Sequence, residues 1–143
     1  MADLRSALRT SIIVLLAGDA TMQALFPGGI VNISYRPTRK PLTLPVITMF
    51  DFGDRADDVV PLWDRNHQLD FWSVDLNVSE QMGQRAIELL DHAALTLPGD
   101  EGLAARVHVV SDLDATQEDA DLSRKTIRVR ILAYDFNKTY TVN

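Results

Sequence analysis

Cysteine is absent from these 143 residues. That excludes disulfides, thiol nucleophiles and thiolate metal sites. A long apolar run is also missing. The longest, from Ile12 to Ala17, falls far short of the ~20 residues of a membrane span. The opening Met-Ala-Asp-Leu-Arg lacks the basic-then-apolar layout of a signal peptide, so a cytoplasmic site of synthesis is expected. Basic residues are in deficit. A net charge of −6 opposes non-specific nucleic-acid binding, which needs clustered Lys and Arg. What is present is ordinary for a globular chain: 46% hydrophobic and 24% charged residues, at a length that builds one domain, 1–143, with a sizeable core.

Catalytic and metal motifs are lacking as well. His67, His92 and His108 show no spacing to a nucleophile that a hydrolase would use, and each reads as structural. Asp64, His67 and Asp70 fit no standard metal-ligand pattern. The Asp-rich stretch 112–121 lacks the Gly and terminal Glu of a calcium loop. Gly28-Gly29 lacks the Lys-Ser/Thr of a phosphate loop and reads as a turn. No cofactor is implied. The balance favours a binding or structural role over an enzyme, although an active site assembled only in space leaves no such trace.

The organising stretch is 68–97. From Trp72 the residues alternate, with Trp72, Val74, Leu76 and Val78 on one side and Ser73, Asp75 and Asn77 on the other, which predicts a half-buried strand. At Ser79 the period becomes helical: Met82, Ala86, Leu89, Leu90, Ala93 and Leu97 form one stripe. Ser79 is the expected N-cap and Pro98-Gly99 the expected stop, with the helix folded onto the Trp72 face. Upstream, Leu4, Leu8, Ile12, Leu15 and Leu16 mark a first helix closed by Gly18, with Arg9 on its solvated side, and Asp19 opens a short second turn. Strands are expected over 30–35, 46–52, 105–111 and 124–136, an acidic loop at a hairpin end over 112–121, and a frayed tail from about 138. The fold class is α+β: an antiparallel or mixed sheet of about four or five strands, with two main helices on one face.

Two connections stand out. The segment 36–45 holds Pro37, Pro41 and Pro45 together with Arg36, Arg39 and Lys40, and reads as a basic, mobile loop. The connection 53–67 carries Val59, Val60, Leu62 and Trp63; part of it can extend a hairpin with the strand from Gln68, and if exposed these residues form a patch that a monomer would not readily leave in water.

Four local features together resemble the tail terminator (tail completion) proteins of long-tailed bacteriophages and gene transfer agents. The amphipathic first helix is followed by Ala24-Leu25-Phe26-Pro27-Gly28-Gly29-Ile30, and a Pro-rich connection ends in Leu44-Pro45-Val46-Ile47-Thr48-Met49. A strand beginning His67-Gln68-Leu69-Asp70-Phe71-Trp72 runs into the second helix, and two last strands end in Thr126-Ile127-Arg128-Val129-Arg130-Ile131. The likeness covers most of the chain, apart from the apolar connection 59–63, and none of its motifs is diagnostic. It implies a non-enzymatic virion protein of the tail, made in the host bacterial cytoplasm. Such a protein forms a ring, usually a hexamer, on the end of the tail tube, stops tube growth and offers a surface for joining the head. The implied partners are further copies of the chain, the tail tube protein and a head–tail connector protein. DNA would pass through without specific binding, and no membrane is involved. Candidate interface residues are Arg36, Arg39, Lys40, Val60, Leu62, Trp63, Arg128, Arg130 and Tyr134. Two alternatives stay open: another head–tail connector or tube-related subunit, and a small α/β ligand-binding domain or enzyme.

Overall fold

The computed structural model describes residues 4–34, 43–57, 62–95 and 103–135, with side chains described over 7–34, 43–51, 64–95 and 105–133. Helix α1 (Leu4–Ala17) buries Ala7, Leu8, Ser11, Ile12 and Leu16 along one stripe. It stops at Gly18, whose N–H closes on the Val14 carbonyl. Asp19 then caps α2 (Ala20–Ala24), accepting from the Met22 N–H at 2.8 Å. A 3-10 turn (Pro27–Gly29) follows, and Gly28 and Gly29 supply the positive φ values, 80° and 71°, that this reversal needs.

Among the described residues, six strands form a single mixed sheet in the order β1-β2-β3-β6-β5-β4. These are β1 (Ile33–Ser34), β2 (Val46–Asp57), β3 (Leu62–Ser73), β4 (Ala94–Leu95), β5 (Leu103–Asp119) and β6 (Leu122–Asp135). Among the described residues only the β1–β2 pair is parallel. Helix α3 (Leu76–Leu90) connects β3 to β4 and packs with α1 on one face of the sheet. The α+β class is therefore observed, with β4 added to the expected strands.

The organising stretch differs in phase from the sequence reading. The strand ends at Ser73, Asp75 caps α3 by accepting from the Asn77 N–H, and Ser79 lies buried inside the helix. Val74 and Leu76, expected in the core, are exposed, and Trp72 is half-buried on the opposite face. The helices cover Leu69, Phe71 and Ser73 instead. The physical reason is the position of the strand's end. Residues after Ser73 no longer follow a pleat, so their alternation carries no face information. Within the helix, Met82, Ala86 and Leu90 are fully buried, whereas Leu89 and Ala93 are half-buried. The helix ends at Leu90 because Asp91 is extended and His92 adopts φ 63°. The expected stop at Pro98-Gly99 lies outside the described residues, as does the tail from 138.

The connections also changed character. Most of 53–67 belongs to a β2–β3 hairpin with a register shift between Phe52 and Arg55. His67, expected in a loop, is a fully buried strand residue. The stretch 112–121 is not a loop. It continues β5 and turns at Ala120-Asp121 into β6, with register shifts at Val109/Ser111, Leu113/Thr116 and Gln117/Asp119.

The inner sheet face makes the core with Ile47, Met49, Leu69, Phe71, Val107, Ile127, Val129 and Ile131. It also buries polar groups in three sets. Ser73, Ser79 and Ser123 join strand ends to α3 through hydroxyl contacts of 2.7–3.3 Å. Asp51 receives Arg9 at 3.2 Å on one oxygen and the His67 ring at 2.7 Å on the other, so Arg9 ties α1 to the sheet rather than pointing to solvent. Lys125 passes beneath α3 at Gly83, and its ammonium meets Glu80 at 3.1 Å and the Asp112 carboxylate. Burial opposes ionisation of Glu80. Hydrogen bonds from Gln84, Lys125 and the Ala115 N–H outweigh it and hold the carboxyl below its usual range. Burial likewise pulls Lys125 down, and its bonds to Asp112 and Glu80 outweigh that and raise it.

Candidate functional site

The outer sheet face carries no helix among the described residues and is built by the other half of each strand's alternation. Register sets its rows. Thr48 stands beside Asp70, and Asp70 beside Thr126; Phe50 stands beside Gln68, and Gln68 beside Arg128. Asn66 stands beside Arg130, and Arg130 beside His108. Cross-strand neighbours at this spacing are the pairs that interact, and here they do. The Trp72 indole N–H donates to Thr48 at 2.9 Å, and Thr126 donates to Asp70. Gln68 receives the Arg128 Nε at 3.1 Å. Arg130 grips Asp64 with two bonds, 2.9 and 2.7 Å, and this contact raises its pKa. Arg124 lies 5.2 Å from the Trp72 ring centroid in a cation–π contact. The face is thus a ladder of paired polar and charged groups around half-buried aromatics.

The sequence-predicted interface residues divide into three groups. Arg36, Arg39, Lys40 and Val60 lie outside the described residues. Leu62, Trp63 and Tyr134 occupy strand positions whose side chains lie outside them. Register nevertheless pairs Leu62 with Tyr134, and Trp63 with Ala133. Arg128 and Arg130 are exposed on the outer face. The backbone therefore draws Leu62, Trp63 and Tyr134 to one end of the sheet, where Leu62 and Tyr134 share the strand row of Arg130 and Arg128, and Trp63, paired with Ala133, belongs to the alternate row. The sequence reading offers these residues as interface candidates without placing them together. It also missed Asp64 and Gln68, the partners of the two arginines. A long hairpin, hidden by Gly53 and the charged residues around it, was the signal needed to align them. Asp64, His67 and Asp70 do not form a cluster, because His67 faces inward and the two aspartates outward.

A second feature lies at the far end of the sheet. Leu25, Pro27, Leu44, Pro45, Val74 and Val78 line a mainly apolar cleft, whose exposed Val74 is the residue displaced from the expected core. No helix of the described residues is long and apolar enough to cross a membrane.

No protein-family model and no curated protein matches the chain. Among solved structures, it is similar to a chain of the "Virion of native gene transfer agent (GTA) particle". The TM-score is 0.71 at 17% identity, over 93% of this chain and 98% of that chain. At that identity the likeness establishes a shared fold, and it extends over nearly the whole of both chains.

Proposed function

We propose that the chain is a structural virion protein of a tailed phage or gene transfer agent, acting as one α+β domain that forms a ring on the end of the tail tube. The observation that carries this reading is the fold shared, almost end to end, with a chain of a gene transfer agent virion. In this role it stops tube polymerisation and provides the surface that joins the head. Its contacts are with its own copies, the tube protein and a connector protein, and no catalysis is assigned to it.

The sequence and geometry support the assignment. A closed ring needs two different patches on each copy, because every subunit meets its neighbour head to tail. The first patch in this proposal is the sheet end, with Trp63 in one strand row and Leu62 and Tyr134 in the other, which continues onto Arg128 and Arg130. Trp63 is its anchor, since buried aromatics dominate interface energies. The second patch includes the basic segment with Arg36, Arg39 and Lys40, which suits a neighbour of net charge −6. That charge also suits a channel for DNA, because it gives phosphate no affinity.

The test is to add the protein to tail tubes and image their ends. Wild type is expected to cap ends and arrest growth, and Trp63→Ala to cap poorly. Tubes that grow on unchanged in the presence of wild type would remove the terminator role. Binding at the head-side connector without capping would favour a different connector subunit.

A further inference from the structure

We propose that Asp91, His92 and His108 form a binding site for a divalent transition-metal ion of the zinc type, at the β4 side of the outer sheet face. Three observations, independent of the ring, carry this. The first is proximity. One ligand atom from each of the three residues lies within 4.8 Å of the others. Asp91 Oδ2 is 3.6 Å from His92 Nε2, and the two imidazole rings meet edge to face with centroids 5.2 Å apart. Ligands at about 2.0–2.1 Å from a tetrahedral zinc stand roughly 3.3 Å apart. Side-chain rotation alone therefore closes the site.

The second observation is the frame. His92 N–H donates to the Val107 carbonyl at 2.8 Å, and Val107 N–H donates to Ala93 at 2.9 Å. This pairing sets His92 beside His108 across the edge of the sheet. Val109 N–H donates to Asp91 Oδ1 at 3.0 Å, which fixes the carboxylate and leaves Oδ2 for the ion. An outer-shell bond of this kind is how proteins orient metal-binding carboxylates. The third is strain. His92 holds φ 63°, alone among the described non-glycine residues in the left-handed region. A glycine would adopt that conformation without cost, and strain retained at one residue points to a use for its side chain.

Two imidazoles and a carboxylate select zinc, cobalt, nickel or copper over magnesium or calcium, which prefer all-oxygen sites. Three protein ligands leave the fourth tetrahedral position to water. Arg130, which stands beside His108 in the strand row, is already engaged by Asp64. The ion would clamp the turn after α3 to β5. Sequence inspection passes over the site, because Asp91-His92 and His108 match no standard ligand spacing.

The test uses tag-free full-length protein and Zn²⁺ alone in calorimetry, with Co²⁺ absorption as a second reading. One ion per chain is expected, with visible d–d bands for cobalt. His108→Gln, His92→Gly and Asp91→Asn should each weaken binding by at least roughly 10-fold. His92→Gly should do so without lowering the melting temperature of the metal-free protein, since glycine relieves the backbone. Absence of zinc binding at millimolar concentration would overturn the site. So would binding of wild-type strength in all three variants. Gel filtration in chelator reads ring formation separately, so the two proposals fail independently.

Discussion

The two faces of the sheet use the same strands and nearly opposite chemistry. On the inner face, polar groups are few and locked: the buried serine trio, buried His67 beside half-buried Asp51 and Arg9, and buried Lys125 with half-buried Glu80. On the outer face, charges are many, partly exposed and paired across strands, as Arg130 is with Asp64 and Arg124 with Glu118. Removing one partner from a buried set leaves an unsatisfied group in low dielectric, whereas an exposed pair contributes about 0–1 kcal/mol. The lesson is a division of labour. Inner residues determine whether the chain folds, and outer residues are free to determine what it meets.

The largest expected effect lies at the centre of the inner face. Phe71 is fully buried beneath the helices, so Phe71→Ala should cost about 3–5 kcal/mol in chemical denaturation. Loss of less than about 1 kcal/mol would show that the inner face is not the core. Next is Gly83→Ala. A Cβ there would stand 2.2 Å from Lys125 Cγ, inside a fully buried side chain. Alanine is ordinarily the better helix former by about 1 kcal/mol, so a net loss of about 1–3 kcal/mol would identify the lysine passage as the reason for glycine. A gain in stability would mean that Lys125 has another path.

Asp19 ranks third. It caps α2 and binds Arg85 of α3 at 2.9 and 2.7 Å. The Arg85 hydrogen bonds, with the Met22 and Thr21 N–H groups, hold its carboxyl at about 2 against the opposing effect of burial. Because the folded-state value is depressed, its contribution is fully present above the unfolded value near ~3.9 and is lost as pH falls through about 2. Asp19→Asn should therefore destabilise by about 1 kcal/mol at neutral pH. The gap from wild type should narrow on acidification below about pH 4. A gap independent of pH would assign the effect to capping geometry alone. The smallest effect on folding is expected outside. Arg128→Glu should change stability by no more than about 0.5 kcal/mol while weakening assembly. Unchanged assembly would remove the outer face from the proposed interface.

Much of the fold was legible because it rests on apolar periodicity. The α1 stripe through Leu8 and Ile12, the Asp19 start of α2 and the alternation of Ile127, Val129 and Ile131 in β6 all appear as read. What failed were places where buried residues are polar. Ser73, Ser79, Ser123 and Lys125 carry no hydrophobic signal, so the phase at the end of β3 was taken from Val74 and Leu76, which follow the strand and face water. The long β5–β6 hairpin was obscured for a related reason: its exposed half is acidic, and exposed strand residues read like a loop. The interface candidates were legible only as residue types. Their alignment at one end of the sheet depends on the pairing of Leu62 with Tyr134, which no local pattern encodes.

The most direct test of the account is the mass of the assembled particle, measured by native mass spectrometry on wild type and Trp63→Ala, alone and with tail-tube ends. The account predicts a single closed ring for wild type, a hexamer, formed at the latest when tube ends are added. It predicts a shift toward monomer in Trp63→Ala at an unchanged melting temperature. Wild-type protein that remains monomeric under every condition, tube ends included, would contradict it.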